Sequence, residues 1–289
     1  MPQFRHILFP IDFSERSRAA APYVLSLARR YNSRITLFHA IEPLPPLYAG
    51  MNTVYPETVD YAAMEIDVRT RLREFADCEL PKTATSCNAV TEDPARGITT
   101  FAEANHVDLI AIATHGYGTF RRALLGSVTA KVLHDSVIPV WTAAHAPEPS
   151  HRAHPQPRRV LCAIDLKDES RHVLDFAIGI AGDAGATVEL VHLAREGAMN
   201  AAQADVQMNE FTAGIARTAG VQVESTLGPE IQTTLAGGSV ASLIRDIAVR
   251  KRVDLVVIGR GSIQAGGFNR LRANAYEIVR ESPCPVISV

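Results

Sequence analysis

The stretch Ala113-Thr114-His115-Gly116-Tyr117-Gly118-Thr119-Phe120-Arg121-Arg122-Ala123-Leu124-Leu125-Gly126-Ser127-Val128 holds the residues best suited to chemistry in this 289-residue chain. Small residues at 113 and 116 let backbone N–H groups approach a phosphate closely. Gly126 and Ser127 open the next helix, whose first turn offers unpaired N–H donors and a positive dipole end, and the Ser127 hydroxyl adds a donor. Plainer roles fit the same residues. Gly116 and Gly118 can simply make a turn, and Ser127 suits an ordinary helix cap, so the glycines alone leave phosphate binding on even terms with a turn.

Asp12 is a second candidate, with capping of the following helix as its bland alternative. Arg121 and Arg122 are placed to reach phosphates, although paired arginines on a loop are more often solvated. His115 has no carboxylate or second histidine at a recognisable spacing, which favours a structural hydrogen bond over metal or acid–base work. No G-x-x-x-x-G-K-[ST] loop, H-x-G-H motif or well-placed base near Ser127 is present.

The elements that must position these residues follow an alternating pattern. Residues 6–11 form a continuous apolar run, as in a strand buried on both faces of a parallel sheet. Ser14 suits the cap of a helix with Ala21, Val24, Leu25 and Ala28 on one face. Arg34 to Ile41 reads as a strand, and Met64, Val68, Leu72 and Phe75 mark a second amphipathic helix. A weaker strand covers Thr83 to Val90. Asp93-Pro94 starts a helix with Ile98, Phe101 and Ala102 as its buried stripe. Asp108 to Ala113 and Ile138 to Thr142 give the fourth and fifth strands. Such alternation predicts an open, doubly wound parallel sheet, with ligands beyond the carboxyl ends of the strands where strand order reverses. A 3-2-1-4-5 order would bring Asp12 and Ala113 to one crevice.

This pattern is written twice. Ile7-Leu8-Phe9-Pro10-Ile11-Asp12 matches Val160-Leu161-Cys162-Ala163-Ile164-Asp165, and Leu37-Phe38-His39-Ala40 matches Leu190-Val191-His192-Leu193, both at an offset of 153. Val107-Asp108-Leu109-Ile110 matches Val253-Asp254-Leu255-Val256 and Ile138-Pro139-Val140 matches Cys284-Pro285-Val286, both at 146. The second copy is seven residues shorter between its second and fourth strands, where the first has the proline-rich stretch Pro43 to Pro56. We expect a first domain over 1–143, a Pro-rich linker over 144–157 and a second domain over 158–289, each with a five-stranded parallel sheet. In the second copy Gly126-Ser127 falls on Arg272-Ala273 and His115-Gly116 on Gly261-Ser262, so ordinary nucleotide binding is not expected there. Arg260, Arg270 and Arg272 then read either as an anion site of another shape or, preferentially, as Arg272 filling the vacant pocket.

Composition narrows the partners. A net charge of -2 without a long run of Lys and Arg argues against nucleic acid. No apolar run approaches the roughly 18 residues of a membrane span. Four scattered cysteines without a C-x-x-C pair argue against a disulfide framework or a zinc site, and with the lack of a signal-peptide pattern they lead us to expect a cytoplasmic protein.

The A-x-x-G-x9-G-S loop after the fourth strand, together with P-I-D-F-S after the first, resembles the universal stress protein family over nearly the whole chain. The ATP-binding branch has G-x-x-G-x9-G-[ST], so Ala113 departs from its pattern; a strand-like backbone there would tolerate a methyl group. The resemblance implies a Rossmann-like fold of the adenine nucleotide hydrolase-like type and an adenine nucleotide, ATP with Mg, held in the first copy. It implies that Ile11, Asp12 and the Ala40 backbone meet the adenine, that Ile112, Ala113 and Gly116 line the ribose and phosphates, and that Gly126, Ser127 and Val128 hold the phosphate end. It also implies pairing of the two copies through their last strands, with a homodimer and an unidentified protein partner as further associations. A stress-response regulatory role leads; a slow ATPase or nucleotidyl-transfer enzyme and a ligand-free pairing module are the alternatives.

Overall fold

The computed structural model describes residues 4–43, 59–113, 125–143, 156–164, 169–192, 206, 210–211, 223–227, 239–260 and 270–289. The first half contains β1 (His6–Pro10), α1 (Glu15–Tyr31), β2 (Arg34–Ile41), α2 (Tyr61–Glu79), β3 (Thr85–Thr91), α3 (Pro94–Ala104), β4 (Leu109–Ala113), α4 (Ser127–Asp135) and β5 (Val140–Ala143). The second contains β6 (Arg159–Ile164), α5 (Glu169–Ala184), β7 (Thr187–His192), β8 (Val223–Leu227), α6 (Val240–Lys251), β9 (Leu255–Ile258), α7 (Arg270–Glu281) and β10 (Val286–Ser288).

Local signals account for the boundaries. The Ser14 hydroxyl accepts from the Ser17 N–H and caps α1, Asp60 caps α2, and Asp93 caps α3 ahead of Pro94. Helix α1 ends where Asn32 turns left-handed at φ 50°, and after α5 Gly185 has φ 62° at the matching position. His106 and Arg252 match in the same way, at φ 51° and 55°. The backbone plan is thus repeated where residue types are not. Met64, expected on the buried stripe of α2, is 43% exposed, whereas Val68, Leu72 and Phe75 are buried. Asp108 and Ile138 fall outside β4 and β5 because each has work in the preceding turn. Asp108 Oδ2 accepts from the His6 N–H at 2.9 Å, and Ile138 donates its N–H to Ser136 Oγ at 3.0 Å.

All ten strands join one sheet, in the order β3-β2-β1-β4-β5-β10-β9-β6-β7-β8. Within each half every pairing is parallel and the order is 3-2-1-4-5. The halves meet through β5 and β10, which pair antiparallel with Trp141 opposite Ile287. The side-chain bonds across this seam are reciprocal: Thr142 Oγ1 donates to the Val286 carbonyl at 3.1 Å and Ser288 Oγ to the Val140 carbonyl at 3.5 Å. Thr142 and Ser288 are themselves related by the offset of 146, so the seam is a two-fold axis within one chain. On one face of the sheet the core is continuous across it, running from Ile7, Phe9 and Trp141 to Val160, Leu174 and Phe176. Phe4 and Phe176 bring their rings to 5.8 Å.

The registers also resolve the seven-residue deficit into two changes. Ile35 pairs Thr85 and Val188 pairs Val223, so the offset drops from 153 at β2 and β7 to 138 at β3 and β8. It is 146 again at β4 and β9. The second half is therefore fifteen residues shorter before its third strand and eight longer after it. The stretch from Pro43 to Pro56 lies almost wholly outside the described residues.

Candidate functional site

Strand order reverses between β1 and β4, which leaves a crevice beyond their carboxyl ends. Ile7 pairs Leu109 and Leu8 pairs Ile110; extended along the strands, that register sets Ile11 level with Ala113. Ile11 and Ile112 are buried, and Asp12 is half-buried at the mouth. Asp12 Oδ1 accepts from the Ser14 N–H at 3.0 Å and from the Ser17 hydroxyl at 2.5 Å. One carboxylate oxygen therefore braces the start of α1, as the capping alternative requires. The other makes no hydrogen bond to a described residue. Capping and ligand recognition thus fall to different oxygens of one side chain.

Ile11 is committed through its backbone, donating its N–H to the Phe38 carbonyl at 2.8 Å and accepting from His39 Nδ1 at 2.5 Å. Its side chain is buried in the main core. Peptide groups along a parallel strand face alternate neighbours, and Phe38 faces β1. Ala40 directs its N–H and C=O to the same side, level with Asp12, where β1 has ended. Phe13 follows in a left-handed conformation, φ 62°, with its ring 5.1 Å from that of His39 and the Arg71 guanidinium 4.1 Å above it. This cation–aromatic stack holds a conformation that a bulky residue seldom adopts.

The opposite wall is the end of β4 and the start of α4. Ala113 is the last residue of β4, pairs with Ala143 and is absent from the positive-φ residues, so the methyl group meets no backbone objection. The N-cap of α4 is Gly126, with φ -60° and ψ 144° and no side-chain hydrogen bond, which makes Ser127 the first helical residue rather than the cap. The first intrahelical bond runs from the Ala130 N–H to the Gly126 carbonyl, leaving the N–H groups of Ser127, Val128 and Thr129 as free ends of the helix. No acidic residue stands in this first turn. Buried Thr129 fastens the helix to the strand by donating its hydroxyl to the Ala113 carbonyl at 3.0 Å. Asp93 at the start of α3 pairs with Lys131 of α4 at 3.3 Å, and the Arg96 N–H that it accepts holds its carboxyl below the usual range.

The second crevice is built differently. Helix α7 ends at the position matching the end of α4 but begins at Arg270, three residues before the counterpart of Ser127. Its N-terminus is thereby displaced by about 4.5 Å along the helix. Arg272 lies inside the helix, and its side chain is outside the described residues. Arg260, which follows β9, donates to the carbonyls of Ser136 and Ile138 in the first half, at 2.9 Å to the latter. That favours the fold-stabilising reading for Arg260 over an anion site. The counterpart of Thr129 is Ala275, which has no hydroxyl to tie helix to strand. Among the described residues His192 keeps its station, with Nδ1 3.1 Å from the Ile164 carbonyl, as His39 does toward Ile11.

The structure thus brings together Ile11, Asp12, Ala40, Ile112, Ala113, Gly126, Ser127 and Val128 around one crevice. Gly116, His115, Arg121 and Arg122 lie outside the described residues. Sequence reading passed over Thr129 and Ser17, whose hydroxyls fix the two walls. It also passed over Ser136 and Ser282, which repeat at 146 and brace the turns before β5 and β10 through the carbonyls of Ile138 and Cys284.

Two doubly wound halves joined edge to edge, each with a crevice at its strand reversal, define a tandem Rossmann-like protein. The universal stress protein family model matches residues 3–143 and 157–289, and the chain belongs to that family. Universal stress protein A homolog 1 of Coxiella burnetii is 28% identical over 142 residues, covering 48% of this chain and 96% of the relative. A universal stress protein of Synechocystis is 29% identical over 143 residues, covering 47% and 83%. The crystal structure of a universal stress protein from Archaeoglobus fulgidus covers 99% of this chain and 96% of its own, with a TM-score of 0.71 and 22% identity, which supports the tandem fold. Among the described residues no helix is long and apolar enough to cross a membrane.

Proposed function

We infer that the first half binds ATP in the β1–β4 crevice and that the protein is a nucleotide-responsive regulatory member of its family. The observation that carries this reading is the start of α4: a helix N-terminus capped by glycine, with no acidic residue in its first turn, anchored to the end of β4 at the strand reversal. Ser127, Val128 and Thr129 N–H groups suit phosphate oxygens, and the Ser127 hydroxyl adds a donor. The free oxygen of Asp12 suits an exocyclic amine, the Ala40 peptide suits the adenine edge, and Ile11 and Ile112 supply apolar walls. Ala113, small and at the end of β4, suits a place beside ribose and phosphates. Among the described residues no group of three or more His, Cys, Asp or Glu side chains converges on a metal, so Mg would arrive on the nucleotide phosphates.

Calorimetric titration of the nucleotide-free chain with Mg-ATP tests this reading. One site per chain, lost in Gly126→Arg, is the expected result. No heat at several temperatures, or a site indifferent to Gly126→Arg, would overturn it.

A further inference from the structure

The opposite end of the first half holds a cavity of about 730 Å³ at the amino ends of the strands. Its lining includes the cations Arg5, Arg29, Arg34 and Lys82 against a single carboxylate, Asp108. Asp108 is engaged through Oδ2 with the His6 N–H. Burial first and the Arg34 charge second lower the pKa of His6. Arg29 and Lys82 make no ion pair with a described residue, and Arg34 spends one N–H on His6 Nδ1 at 3.0 Å.

A cation near a helix C-terminus is often explained by the helix dipole, and α1, α2 and α3 all end here. Each contributes about half a negative charge, too little to balance this cluster. The matching helix α5 has no basic residue in its last turn and still ends in a left-handed cap. By strand register Arg29, Arg34 and Lys82 correspond to Gly182, Thr187 and Gly220. The fold therefore forms without these three charges.

We propose that this cavity is a second ligand site, for a phosphorylated small molecule whose phosphomonoester or diphosphate group sits among Arg29, Arg34 and Lys82. Guanidinium forks bind phosphoryl oxygens in pairs, and the volume falls within the range of small-molecule pockets. The site lies across the sheet from the β1–β4 crevice and does not depend on the nucleotide reading.

The test uses inorganic pyrophosphate as probe, titrated by calorimetry into the intact chain at about 0.15 M salt, where long-range charge effects are screened. Arg29→Gln combined with Lys82→Gln weakens binding by about tenfold or more, as expected for lost charge-assisted bonds. Arg250→Gln, which removes an exposed cation far from the cavity, and Gly126→Arg each leave the affinity within twofold. Pyrophosphate also protects Lys82 from acetylation in the unaltered chain, a readout that needs no variant. Absence of binding, loss of it in Gly126→Arg, equal weakening by Arg250→Gln, or unprotected Lys82 would each overturn the proposal.

Discussion

At the amino ends of the strands, Asp108 and Asp254 do the same work in the two halves. Asp108 accepts from the His6 N–H, and Asp254 accepts from the Arg158 and Arg159 N–H groups at 2.8 and 3.0 Å. At the carboxyl ends the halves diverge: α4 starts from a bare glycine cap, whereas α7 starts a turn earlier and Arg260 is turned toward the other half. Among the described residues the turn contacts that hold the sheet together are duplicated, and the helix start facing the crevice is not. Duplicated chains keep what folding requires of both copies and vary what only one copy needs.

The largest effect that would break this comparison is on nucleotide affinity. Gly126→Arg should weaken Mg-ATP binding by at least about a hundredfold, the cost of several charge-assisted hydrogen bonds, with an unchanged circular dichroism spectrum. Grafting the motif into the second half, Arg272→Gly with Ala273→Ser, should create no second site. Both positions lie within α7, so a glycine there does not move the free N–H groups to the crevice. A second ATP per grafted chain would show that helix length is not the obstacle.

Next comes the duplicated carboxylate. Asp254→Ala strands two backbone donors and should lower the unfolding free energy by about 2 kcal/mol, and Asp108→Ala, which strands one, by about half as much. Denaturant titration of both variants reads the difference directly. The reverse ranking would mean that Asp254 is not doubly engaged in solution.

Most of the frame was legible in the chain itself. The apolar runs gave the strands, the offsets gave the repeat, and Asp93-Pro94 and Ser14 gave helix starts, because each is a local preference written in adjacent residues. The glycine at 126 was legible as a helix opening. Its identity as the cap, with Ser127 one step inside, was not, since a serine and a glycine in sequence serve either order. The role of Thr129 was hidden because its partner, Ala113, is sixteen residues away. The early start of α7 was hidden because a gapless alignment of residues says nothing about where hydrogen bonding begins.

A subtler exchange links the strand end to the first helix. Ala113 corresponds to Gly259, and Ala20 on α1 corresponds to Val173 on α5. A Cβ added at Gly259 would meet Val173 Cγ2 at 2.9 Å. The methyl group absent from the strand in the second half has been taken up by the helix. Gly259→Ala should therefore cost about 1 kcal/mol through overpacking, and Val173→Ala in the same chain should relieve part of it. A double-mutant cycle on unfolding free energy measures the coupling, which additive costs would refute.

The smallest effect concerns pH and again separates the halves, because His6 is matched by Arg159 rather than by a second histidine. The buried His6 ring lies 2.8 Å from Thr36 Oγ1, and its Nδ1 lies 3.0 Å from Arg34 Nη2 and 3.2 Å from the Asn105 carbonyl. Arg34 can only donate and so favours the neutral ring with the proton on Nε2, while the Asn105 carbonyl can only accept and favours a proton on Nδ1. Burial, then the Arg34 charge, lower the folded pKa below the ordinary 6.5, with the Asn105 carbonyl and Asp108 acting in the opposite sense. The unfolded chain therefore takes up this proton first as pH falls. The contribution of His6 is complete above pH 6.5 and declines below it until the folded ring also protonates. The decline cannot exceed about 1.4 kcal/mol per pH unit, the value for one proton. His6→Gln should flatten the dependence of unfolding free energy between pH 7 and pH 5 by a fraction of that amount. An identical slope in the two proteins would mean that the ring takes up its proton in the folded chain as it does in the unfolded one, and would overturn the lowered pKa.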